Sequence, residues 1–144
     1  MKSSPQPLSW GIDWDNLSDW QKMFLDFPLL GSYPRTQRRL FAQMKRRRLV
    51  DMLVWDQYSA EVRVLAFQIA ETLRESIEWP NPYFLPDDPA QIPFWCFGSD
   101  MRDVEALIGI ESILGVAVPL DFWEQCKTQT FAEFIENMLA RKAN

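Results

Sequence analysis

The 144-residue chain contains no histidine. That absence removes Ser–His and Cys–His nucleophile pairs, the imidazole general base and the ordinary His-containing zinc site. Cysteine is scarce as well. Cys96 and Cys126 are too few for a disulfide framework or a four-thiolate zinc site, and compartment logic favours two reduced thiols, each a small hydrophobe, over a bridge. With no activating base in prospect, Cys126 reads as a packing residue rather than a nucleophile. No apolar run approaches the ~18 residues needed to cross a bilayer. The N-terminal MKSSPQPLSWGIDWD lacks the apolar core of a signal peptide, so a soluble, cytoplasmic protein is expected. Long period-two alternation is missing too, and with it any convincing strand. The expected fold class is all-α.

What the chain does have is aromatic mass and unevenly placed charge. Seven Trp, ten Phe and three Tyr sit in a composition that is 47% apolar and 24% charged, enough for a sizeable core. The net charge is −5. Yet Arg35, Arg38, Arg39, Lys45, Arg46, Arg47 and Arg48 fall within fourteen residues that hold no acid. From Leu49 onward, sixteen acids face six bases. An acidic body therefore carries a basic segment, a pattern that suggests an electrostatic contact. Asp87-Asp88, beside proline, has the composition of a solvated turn rather than a metal or acid/base site.

Spacing and capping residues predict the helices. Asn16 or Ser18 caps a short one over 19–26, behind an arm in which Trp10 and Trp14 are expected to dock. Pro34 opens a long one, roughly 34–56, with Leu40, Phe41, Met44, Leu49, Met52, Leu53 and Trp55 inward. Ser59 caps a third over about 60–78, whose stripe Val62, Leu65, Ala66, Ile69, Leu73, Ile77 is the clearest amphipathic signal present. Residues 79–98 hold five of the ten prolines and six of the twenty aromatics, so they form an ordered loop that must pack on something. Core is the favoured role for its aromatics over a ligand pocket, with Trp79 and Trp95 buried. Further helices are expected over 101–114 (Val104, Leu107, Ile108, Leu114 inward, Gly115 as C-terminal cap), over 120–126, and from Thr130 to the end.

From Gly98 to Met138 the local sequence resembles the acyl carrier protein family. SDMRDVEALIGIESILGVAVP is similar to that family's Asp-Ser-Leu helix, Val104-Glu105 to Val118-Pro119 runs against it without a gap, and Thr130-Phe131 fits the Thr-Val start of its last helix. The resemblance covers about 80 residues. It implies an acyl-carrier-like four-helix bundle over 58–142, with 1–57 as a helical N-terminal extension. It also places Asp100 where the family has the serine that accepts 4′-phosphopantetheine, and Ser99 one position before it. A carboxylate cannot form the phosphodiester, so the prosthetic group is expected to be absent. Attachment at Ser99 is the alternative, against its role as a plain helix N-cap. The resemblance further implies that Asp100, Asp103, Glu105 and Glu111 form an acidic partner-binding helix. An ordinary solvated face is the competing account.

The expected function is a non-enzymatic interaction or adaptor module that engages a protein partner. A working acyl carrier modified on Ser99 is the runner-up. A third possibility is a nucleic-acid- or membrane-surface-binding protein using segment 35–48, with Phe41, Met44 and Leu49 dipping into lipid. The overall acidity disfavours nucleic acid, and a membrane surface ranks beside it. Reversing Arg46, Arg47 and Arg48 to Glu is expected to spare the fold and weaken the partner.

Overall fold

The computed structural model describes residues 5–9, 18, 32–94, 102–119 and 121–143, without the side chains of 32–36, 102–104 and 123. The fold of these residues is all-α. They contain no strand, only an isolated antiparallel bridge between Pro89 and Thr130. In chain order the elements are α1 (Ser32–Lys45), a 3-10 helix (Leu49–Gln57), α2 (Ala60–Ile77), α3 (Arg102–Leu114), α4 (Phe122–Cys126) and α5 (Phe131–Ala143). The helix expected over 19–26 and the Trp10–Trp14 arm lie outside the described residues.

Helix α2 organises the rest. The Ser59 hydroxyl accepts the Val62 N–H, satisfying a first-turn donor, and the stripe from Val62 to Ile77 is buried as its spacing predicts. At the far end Glu78 adopts a left-handed conformation (φ 67°) and donates its N–H to the Arg74 carbonyl. Trp79-Pro80 then leaves the helix. Helix α2 packs most extensively on α3 and also on α5, and α3 touches α5.

The expected long helix over 34–56 is in fact two elements. Helix α1 tightens at its end, with Arg46 and Arg47 N–H groups reaching back three residues to Gln43 and Met44 carbonyls. Asn81, from the proline-rich loop, donates its side-chain amide to the same Met44 carbonyl at 2.9 Å, so the helix end is capped by a distant segment. Arg48 is extended, and its N–H goes to the Asp51 carboxylate at 2.7 Å to start the 3-10 helix. Leu40, Met44, Met52 and Trp55 are buried, as expected. The break shifts the helical phase beyond it, so Leu49 (71% exposed) and Leu53 (62%) face outward, against expectation.

Helix α3 is also rotated from its expected setting. Ala106, Ile110 and Leu114 are buried, Leu107 is half-buried, and Ile108 is exposed. Gly109 lies against α2: a Cβ added there would lie 2.8 Å from the Thr72 methyl, so close approach of the helices requires glycine at this position. Gly115 ends α3 as expected, at φ 72° with its N–H on the Glu111 carbonyl. Thr130 and Glu133 form a reciprocal capping box at the start of α5.

One apolar core unites these elements. Leu8, Leu40, Met44, Met52 and Trp55, from the expected extension, share it with α2 to α5. The loop 79–94 fills its centre. Trp79, Phe84, Leu85, Ile92 and Phe94 are buried, as expected of the loop and of Trp79, while Trp95 lies outside the described residues. Phe94 sits 5.0 Å from Phe122 and 5.1 Å from Phe134, both edge to face. The indole N–H groups are used too: Trp55 donates to the Phe84 carbonyl and Trp79 to that of Pro93.

Candidate functional site

Two features stand out, one inside and one outside. The inner one is the ion pair between Arg47 and Asp88. Asp88 is 0% exposed. Its Oδ1 accepts from Arg47 Nη2 at 2.6 Å and from the Leu8 N–H at 2.8 Å. Its Oδ2 accepts from Arg47 Nη1 at 2.7 Å and from the Leu85 N–H at 2.8 Å. This fork-on-fork geometry is the strong form of the interaction. Arg47 further donates to the carbonyls of Tyr83 and Gln6 at 2.9 and 3.0 Å. The Asp88 carbonyl takes the Phe131 N–H at 2.7 Å. One carboxylate residue thus joins the N-terminal strap 5–9, the end of α1, the aromatic loop and the start of α5. Gln43 holds the strap a second time, through both the N–H and the carbonyl of Ser9.

This geometry corrects two expectations. Asp88 is not a solvated turn residue, although Asp87 beside it is exposed. Arg47 is not part of an outward basic surface, because its guanidinium is consumed by the buried pair. Reversing Arg46, Arg47 and Arg48 together would set a second carboxylate against Asp88 in the interior, so the fold would not be spared. The clasp itself has no evident chemistry, since every polar atom of the carboxylate is already committed.

The outer feature lies where the chain leaves α1. Arg38, Arg39, Lys45, Arg46 and Arg48 are exposed. The side chain of Arg35 lies outside the described residues. Directly after Arg48 come Leu49, Val50 and Leu53, all exposed, and Phe67 and Val64 on α2 are exposed as well. Leu49, Met52, Phe67, Glu71, Pro82 and Tyr83 border a shallow hollow of about 190 Å³. The carboxylate on its border is engaged: Glu71 accepts from Arg74, which lowers the Glu71 pKa from the usual carboxylate value. Phe41 and Met44 face inward, as the helical spacing predicts and against the membrane alternative that would have them dip into lipid: Met44 is buried and Phe41 packs on Trp79 at 5.0 Å.

Of the acidic helix, Ser99, Asp100 and the Asp103 side chain lie outside the described residues. Glu105 is exposed. Glu111 is half-buried, and its Oε1 accepts the Val118 N–H at 2.9 Å, which fastens the segment after α3. Cys126 is buried, and burial pushes its thiol pKa up to about 12, far from a working nucleophile. Among the described residues no group of three or more metal-ligating side chains occurs, and no helix is long and apolar enough to cross a membrane. Comparison with protein-family models, with curated proteins and with solved structures finds no match for the chain.

Proposed function

We propose that this chain is a non-enzymatic protein-interaction module, an adaptor whose C-terminal portion has the order of an acyl-carrier-like bundle without its prosthetic group. The observation that carries the proposal is the exposed apolar row Leu49, Val50 and Leu53, set beside the exposed Arg46 and Arg48. Large apolar side chains held outward on an ordered element, next to cations, are what a partner surface needs. The order long helix α2, long loop, α3, short α4, α5 supports the bundle likeness, as does the left-handed cap at Gly115. The absence of histidine and the protonated Cys126 support the non-enzymatic character.

Cross-linking in the native host, with residues 45–53 carrying the photoreactive group one position at a time, tests the module. Capture of a defined protein at these positions, lost in Leu53→Asp, is the expected result. Intact mass of the same preparation tests the missing prosthetic group. A gain of one phosphopantetheine, mapped to Ser99, would make the chain an acyl shuttle instead.

A further inference from the structure

Strap 5–9 is held through its main chain, and we propose that its seat is a peptide-binding groove. The strap is then a ligand tied on in cis, and the groove also accepts an extended, leucine-bearing segment of another protein. This site is separate from the apolar row of the 3-10 helix, and neither depends on the other. Gln43 Oε1 accepts the Ser9 N–H at 3.0 Å, and Gln43 Nε2 donates to the Ser9 carbonyl at 2.8 Å, the exchange that a residue on a neighbouring strand would give. Asp88 takes the Leu8 N–H, and Arg47 donates to the Gln6 carbonyl. Contacts of this kind fit any extended backbone and leave specificity to a side-chain pocket. Here that pocket is at Leu8, which is buried, whereas Pro5 is half-buried and Gln6, Pro7 and Ser9 are exposed. Pro7 also biases Gln6 toward extended backbone, so little order is lost on docking.

The groove does not need the strap in order to persist. The Arg47–Asp88 pair, the Leu85 N–H on Asp88 and the Arg47 bond to the Tyr83 carbonyl all lie within the body, so the reading groups stay aimed when the strap leaves. One buried leucine and a short run of main-chain bonds form a light tether, of the kind that opens locally while the rest of a fold holds. A partner segment is a better occupant than a second copy's strap. The second copy offers the same contacts as the cis strap and forfeits the local concentration that the covalent link supplies. A partner segment can add to them, because a hollow of about 400 Å³ stays open with the strap in place, bordered by residues 5–7 and 46–48, Gln43 and Asp51.

The test uses the full chain and a capped synthetic peptide with the sequence of residues 4–10, Ser-Pro-Gln-Pro-Leu-Ser-Trp. In the wild type, saturating peptide should speed hydrogen exchange of the chain's own Leu8 N–H at least ten-fold and leave the α2 amides unchanged. That measurement needs no variant, and it decides the matter if Leu8→Asp does not fold. Leu8→Asp sets a second carboxylate against Asp88 and undocks the strap, so by anisotropy it should bind the peptide at least ten-fold more tightly than the wild type does. A peptide N-methylated at its leucine loses the donor to Asp88 and should not bind. A displayed library of random heptapeptides, selected on Leu8→Asp, should converge on leucine at one position and yield clones that outbind the strap peptide. Leu8 exchange that matches α2 with and without peptide, indifference to N-methylation, or a library in which nothing outbinds the strap peptide would overturn the inference. So would a Leu8-dependent dimer of the wild type in sedimentation, which would make a second copy the occupant.

Discussion

Removing one partner of the Arg47–Asp88 pair is the sharpest perturbation the fold offers. Asp88→Asn keeps the shape but leaves the Arg47 guanidinium in the interior without its counter-ion. The N–H groups of Leu8 and Leu85, now held by the carboxylate at 2.8 Å, would meet a weaker acceptor or an opposing amide. Stranding a buried charge in this way costs about 3–5 kcal/mol. Against a total stability of about 5–15 kcal/mol, that is a third of the fold or more. At roughly 2–4 °C per kcal/mol for a chain of this size, the midpoint should fall by about 10 °C. Arg47→Met should cost a similar amount, since it strands the carboxylate and frees the Tyr83 and Gln6 carbonyls. The double variant strands neither charge, so it should cost less than the sum by roughly 2–3 kcal/mol. Denaturant unfolding of the four proteins measures the cycle, and repeating it at about 0.5 M salt should barely change the coupling, because a buried pair is little screened. Single variants each costing under about 1 kcal/mol, or a strictly additive double, would refute the reasoning.

Gly109→Ala should destabilise by about 1 kcal/mol in the same assay, because the new methyl meets Thr72 at 2.8 Å and outweighs the better helix propensity of alanine. Trp79→Ala, which empties a buried indole site and orphans the Pro93 carbonyl, should cost about 3–5 kcal/mol; a change near zero would mean that the loop does not belong to the core. Cys126, in a Cys96→Ser background, should resist thiol reagents until the protein unfolds. Its folded pKa is raised from 9.0 to about 12, so its contribution to stability is complete below pH 9 and is lost as pH climbs toward 12. Cys126→Ala should flatten that alkaline fall. Tyr58, whose pKa is raised by burial and then by Asp87, Glu136 and Glu133, adds to the loss in the same direction, and Tyr58→Phe should reduce it above pH 10.

Much of the skeleton was legible because it rests on short-range rules. The α2 stripe, the Ser59 cap, the Gly115 stop and the Thr130 start are all written within a few residues of where they act. The break in the 34–56 pattern was not, because what ends α1 is Asn81, thirty-seven residues away, binding the Met44 carbonyl. Nothing in the KRRRLV string separates the one arginine that goes inside from its neighbours that stay out. The choice is made by Asp88, itself indistinguishable in sequence from Asp87. In α3, Ile108 was placed inward with Leu107 and Leu114, whereas it is exposed, Ala106 and Ile110 are buried, and the close approach to α2 falls at Gly109 against Thr72. The outward row on the 3-10 helix was hidden for the same reason as the break: its leucines look like core until the phase shifts.

The Asp88 junction also bears on how the chain reaches this state. Its bonds to Arg47 and Leu8 close segments of 41 and 80 residues, so neither forms until long loops have been brought together. Neither ion can shed its water alone without heavy cost, and only the joint arrival of strap, helix end and loop lets both dehydrate at once. The pair therefore belongs to the native side of the folding barrier. Variants there should leave the refolding arm of a chevron nearly unmoved and raise the unfolding arm. The clasp acts as a brake on opening: it sets how long the folded chain persists rather than how fast it is made.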